Sequence, residues 1–146
     1  MRYIILLLCF VAIGCYEDKV APICTDCDAI CPISVEIDED SYDNAVSHPI
    51  EITDAYMEDD CLTVVFDFTG CGESLELKLY DQGVVAESFP VQRNIRVVLG
   101  DASGNCTTSY TKSPSFNMED TRTQFFGPIA FNLEGWDEPI IYTDEE

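Results

Sequence analysis

Alternation of apolar and polar residues with a period of two constrains this chain more than any other feature in it. "LTVVFDF" puts Leu62, Val64, Phe66 and Phe68 on one side, with Thr63, Val65 and Asp67 on the other. "SLELKLY" does the same with Leu75, Leu77 and Leu79, and "NIRVVLG" with Ile95, Val97 and Leu99. "IAFNL" repeats the pattern through Ile129, Phe131 and Leu133, and "PIIYT" closes it with Ile140 and Tyr142. Successive side chains on a strand point to opposite faces, so this spacing predicts strands with one face buried and one wet. A helix would need a period of 3.6, and no stretch of useful length shows it.

Turn chemistry divides these runs. "TGCGE", "DQG", "LGDASGN" and "LEGWDEP" sit between them and read as reversals. Strands are expected near 50–56, 61–68, 74–80, 84–89, 93–99, 107–118, 126–133 and 139–143, seven or eight in all. Short strands at this spacing predict an all-β fold, an antiparallel immunoglobulin-like β-sandwich, with a small β-barrel as the alternative.

The first residues, "MRYIILLLCFVAIGC", set the compartment. Arg2 precedes an apolar run from Tyr3 to Ile13, followed by Gly14 and Cys15. The run is shorter than the roughly 20 apolar residues that span a bilayer, and it has the layout of a secretory signal. Its end, "AIGC", resembles a bacterial lipobox, with Ala12 where leucine is usual, so residues 1–14 are expected to leave and Cys15 to carry lipid. The following "YEDK" resembles the acidic signal that sends lipoproteins of the Bacteroidetes type to the cell surface. The expected organisation is a signal at 1–14, a flexible acidic tether at 15–46 and a sandwich at 47–146, held at the outer membrane by a lipid anchor.

Charge excludes whole classes of partner. The chain carries 28 acidic and 7 basic residues, a net charge of −21. Such an excess repels nucleic acid and anionic headgroups, and no basic patch offsets it. Acid gathers in "VEIDEDSYDNA", "MEDD" and "TDEE" without the ligand order of a calcium loop. "DASGN" comes nearest, with Asp101, Ser103 and Asn105 alternating, but it is equally ordinary turn chemistry. No metal or cofactor is expected.

Eight cysteines point to disulfides in an exported chain. With Cys9 in the signal and Cys15 lipidated, Cys24, Cys27, Cys31, Cys61, Cys71 and Cys106 remain, an even set that can pair. If every link is a simple reversal, Cys106 returns to the end of the sandwich that holds Cys61, which favours a Cys61–Cys106 bridge. Cys71 would then need a partner among Cys24, Cys27 and Cys31. The spacing of "CTDCDAICP" imitates part of a ferredoxin run, but Ala21 stands where the remaining cysteine would be. Asp26 and Asp28 beside Cys27 disfavour a reactive thiolate.

"ITDAYMEDDCLTVVFDFTGC" followed by "LELKLYDQGVVAESFPVQRNIRVVL" resembles small flavobacterial-type lipoproteins of uncharacterised function, over about residues 50 to 143. Those relatives often have tryptophan where this chain has Leu75. The resemblance implies an address and a fold and carries no activity. Within it, "ESFPVQR" places Glu87, Pro90, Gln92 and Arg93 in and beside a loop between strands. They form a recognition-loop candidate, since loops on a rigid scaffold commonly carry binding. The competing reading pairs Arg93 with one of many carboxylates.

Nothing here predicts catalysis. His48 is the one histidine, in "SHPI", and no serine sits in a Gly-x-Ser-x-Gly elbow. Trp136 in "LEGWDEP" is expected to cap the core. The expected function is a lipid-anchored binding or accessory module of the cell envelope, with another envelope protein or a glycan as partner. The alternatives are a metal or redox lipoprotein using Cys24, Cys27 and Cys31, and a structural surface protein.

Overall fold

The computed structural model describes residues 31–71, 75–86, 88–102, 104–122 and 127–143. They form two mixed sheets facing one another, and neither sheet closes into a barrel. The fold is an all-β sandwich.

The first sheet is built on β3 (Glu51–Glu58) and β4 (Cys61–Gly70), an antiparallel hairpin. Its two-residue turn places Asp59 at φ 52°, a left-handed conformation that a short aspartate side chain tolerates in hairpin turns. Along its other edge β4 pairs with β7 (Thr108–Lys112) and then β8 (Ser115–Asn117). The single strand expected over 107–118 is thus broken at Ser113–Pro114. A proline lacks the donor a ladder needs, but its carbonyl still accepts from Val64 N at 3.1 Å and keeps the strand line in place.

In the second sheet β5 (Leu77–Ala86) and β6 (Val91–Leu99) are antiparallel, and β9 (Ile129–Leu133) runs parallel to β6. β10 (Ile140–Tyr142) closes that edge against β9. The expected turn at "DQG" is not a reversal. It lies inside β5 as a break in register between Asp81 and Val85, with Gly83 at φ 75° and its N–H donating to Asp81 Oδ1 at 2.7 Å. The side chain of Asp81 satisfies the backbone that leaves the ladder, so the strand bends and continues as a bulge does.

The acidic segment expected as a tether up to residue 46 is, from Ile33 onward, part of the sandwich. β1 (Ile33–Ser34) runs parallel to β8 in the first sheet, and β2 (Glu36–Ile37) runs parallel to β5 in the second. Buried Val35 sits between them, so the chain crosses from one sheet to the other through the core. Helix α1 (Glu39–Asn44) follows, capped by Asp38, whose carboxylate accepts from Asp40 N and Ser41 N.

The core repeats the sequence pattern closely. Leu62, Val64, Phe66 and Phe68 of β4 meet Leu79, Ile95, Val97, Leu99, Phe131 and Leu133 of the second sheet. Burial of each such side chain is worth about 1.5–3 kcal/mol. Trp136 packs half-buried against this cluster, as a cap. Tyr142 stacks on Phe131 and its hydroxyl donates to Asp60, which also holds Arg122 Nη2 at 2.7 Å. The last strand is thereby fixed to the β3–β4 turn.

Candidate functional site

Of the residues expected to carry function, Cys15, Cys24, Cys27 and Glu87 lie outside the described residues. The described cysteines pair as Cys31–Cys61 and Cys71–Cys106, with Cα–Cα distances of 5.7 and 5.1 Å. The expected Cys61–Cys106 bridge is therefore wrong, as is the N-terminal partner expected for Cys71. Both errors have one cause. Residues 77–86 form a single bulged strand where two were expected, so one reversal fewer separates β4 from Cys106. Cys106 then arrives at the end of β4 that carries Cys71, and the register confirms it, with Thr108 opposite Gly70. Because Cys31 is bonded to Cys61, it is withdrawn from the three-cysteine metal or redox set.

Arg93 is not a surface recognition residue. It projects inward from β6, where its Nε lies 2.7 Å from Asp81 Oδ2 and Nη1 donates to the Thr121 carbonyl at 3.3 Å. Asp81 is fully buried, and Arg93 is 6% exposed. The pair ties the β5 bulge, β6 and the 3-10 turn at Glu119–Thr121 into one polar knot inside the sandwich. Pro90 stays in the β5–β6 loop, where its carbonyl accepts from Ser88 Oγ at 2.7 Å. His48, half-buried, hydrogen-bonds through Nε2 to the Thr69 carbonyl at 2.8 Å, beyond the end of β3, and takes the place of a strand partner there.

Gln92 is different. It faces outward, and its Oε1 accepts from Asn132 Nδ2 at 3.3 Å. Asn132 also donates to Asn94 Oδ1 at 3.3 Å, and Asn94 Nδ2 donates to Gln82 Oε1 at 2.9 Å. Four primary amides from β5, β6 and β9 thus form one hydrogen-bonded platform on the outer face of the second sheet. Parallel pairing of β6 with β9 sets Asn94 directly opposite Asn132, and the bulge in β5 brings Gln82 to the same row. In register with Gln92 the face carries Ala86 on β5, Ala130 on β9 and Ile141 on β10.

Among the described residues, ion pairs flank the platform on the side of Arg96 and Lys78. Arg96 donates through Nη1 to the Tyr42 carbonyl of α1 at 2.8 Å and pairs with Glu134 at 3.5 Å. Burial, reinforced by the Glu134 carboxylate, raises the Tyr42 hydroxyl above its ordinary pKa. Lys78 pairs with Glu36 at 3.3 Å, and that hydrogen bond raises its pKa. The four amides themselves carry no charge at any pH, and each retains donor or acceptor capacity toward solvent.

The fold resembles that of solved structures from Bacteroides. One is a protein of unknown function, DUF1344, from Bacteroides vulgatus, with 14% identity and a TM-score of 0.50 over 77% of this chain and 55% of that one. Another is a NigD-like immunity protein from Bacteroides caccae, with 12% identity and a TM-score of 0.52 over 75% of this chain and 58% of that one. The likeness is one of fold. The matched region spans little more than half the length of either Bacteroides protein. No protein-family model and no curated protein matches the sequence.

Alternation in "VQRNI" already places Gln92 and Asn94 on one face, and "IAFNL" places Asn132 outward by the same rule. What joins them is strand order, which local sequence does not contain.

Proposed function

We propose that this chain is a lipid-anchored binding module of the bacterial cell envelope, without catalytic activity, that recognises a neutral glycan through the amide platform. The carrying observation is a charge-free cluster of Gln82, Gln92, Asn94 and Asn132 on a chain of net charge −21. A primary amide offers one acceptor and two donors in a plane, a geometry suited to neighbouring sugar hydroxyls. Phe89, 85% exposed in the adjoining loop, supplies an apolar face against which a sugar ring can lie. The signal anatomy at residues 1–15 and the acidic residues behind Cys15 support the address.

A second reading has the overall charge in its favour. A net −21 attracts a cationic protein, and the B. caccae neighbour is named an immunity protein. Salt separates the two, because screening weakens association with a cation and leaves a neutral sugar unaffected.

Binding to an array of neutral oligosaccharides, at about 0.05 and 0.5 M salt, tests the proposal. The expected result is salt-independent retention, lost in Asn94→Ala/Asn132→Ala with an unchanged unfolding midpoint. Absence of glycan binding, or binding unaffected by the double substitution, would overturn it.

A further inference from the structure

Beside the Ser113–Pro114 break, the two sheets part and leave a cleft of about 430 Å³. That size falls within the roughly 300–1,000 Å³ of small-molecule sites, which are mostly apolar with a few placed polar groups. Ile33 of β1, Leu75 and Leu77 form the walls, with buried Phe66 and Leu99 beneath. The three wall residues pack against the core yet stay half-exposed, so apolar surface on the core side of the sandwich is left open.

Lys112 stands at the mouth. Register sets it opposite Phe66, and residues paired across an antiparallel ladder project to the same face, so the lysine lies on the core side of its sheet. Among the described residues Lys78, Arg93, Arg96 and Arg122 each hold an ion pair, and Lys112 holds none. On a chain with 28 acidic residues, an unpaired ammonium at the rim of an apolar cleft is complementary to one negative charge on an apolar body.

We propose that this cleft binds a medium-chain carboxylate, with its hydrocarbon tail between the sheets and its carboxylate on Lys112 Nζ. The Ser113 hydroxyl, also at the rim, is a second donor. The site lies between the sheets, apart from the amide platform on the outer face, and stands independently of the glycan proposal. A plainer role exists for Lys112: an inward lysine on edge strand β7 discourages strand pairing between molecules.

Calorimetric titration of the chain with decanoate, below its micellar concentration, distinguishes the two. The expected result is saturable one-to-one binding, about tenfold weaker for octanoate because two fewer methylenes are buried. Decyltrimethylammonium should not bind, and Lys112→Gln should lose at least tenfold in decanoate affinity. Leu75→Asp, at a wall position that also packs on the core, should abolish binding in a chain whose near-ultraviolet circular dichroism still shows the native sandwich. No saturable binding, or equal affinity of Lys112→Gln and the parent, would overturn the assignment. So would a Lys112→Gln chain that dimerises on size exclusion with its decanoate affinity intact, since that result leaves only the edge role.

Discussion

Arg93 Nε stands 2.7 Å from Asp81 Oδ2, and the sandwich closes over both side chains. The carboxylate is used twice, since Oδ1 also accepts from Gly83 N and holds the β5 bulge. This buried ion pair occupies the position where the sequence offered a recognition arginine.

Removing one partner leaves the other charge buried and unpaired. Arg93→Met or Asp81→Leu alone should cost about 3–5 kcal/mol in urea unfolding, while the double variant should regain only part of that loss, because Gly83 N–H stays without its carboxylate acceptor. Single variants costing under about 1 kcal/mol would show that the pair is solvated in solution.

Disulfide connectivity is directly checkable. A non-reducing peptide map should yield Cys31–Cys61 and Cys71–Cys106, and a Cys61–Cys106 peptide would contradict the strand order. The bridges close loops with sequence separations of 30 and 35 residues. By the chain-entropy model, replacing either pair with alanine should cost roughly 3.5–4 kcal/mol.

The cap on α1 predicts a pH response. Hydrogen bonds from Ser41, side chain first and then backbone, hold Asp38 below its ordinary value of 3.8. A carboxylate with a depressed folded-state pKa stabilises the fold above its unfolded value and loses that contribution as pH falls through the folded one. Amide protection factors in Glu39–Asn44 should therefore fall as the pH drops below about 3.8 in the parent chain. Asp38→Asn keeps a capping oxygen without a titrating group, so its helix should show no such step. Identical acid profiles for the two chains would refute the cap as the source.

Burial follows local pattern because it depends on which face a residue occupies. Inward positions of β4, β6, β9 and β10 are legible from alternation alone, as Phe66, Ile95, Phe131 and Tyr142 show. Three of the four amides are legible too, since Gln92 and Asn94 alternate with buried neighbours on β6 and Asn132 lies between buried Phe131 and Leu133 on β9. The glycine in "DQG" is where local reading fails. A left-handed residue fits a hairpin turn and a bulge equally well, and only the carboxylate of Asp81, held from the far side by Arg93, favours the bulge. That one ambiguity reverses the direction of every later strand and with it the partner of Cys71.

Sequence by itself determined the all-β class, the core faces, the acidic surface and the supply of cysteines, because each depends on residue type and short-range period. Tertiary structure alone decided that Val35 crosses between the sheets, that β9 runs parallel to β6 beside Asn94, and that Asp81 is the carboxylate that meets Arg93. Those outcomes rest on contacts between residues distant in the chain, where packing and charge burial select among arrangements that local preference leaves equal.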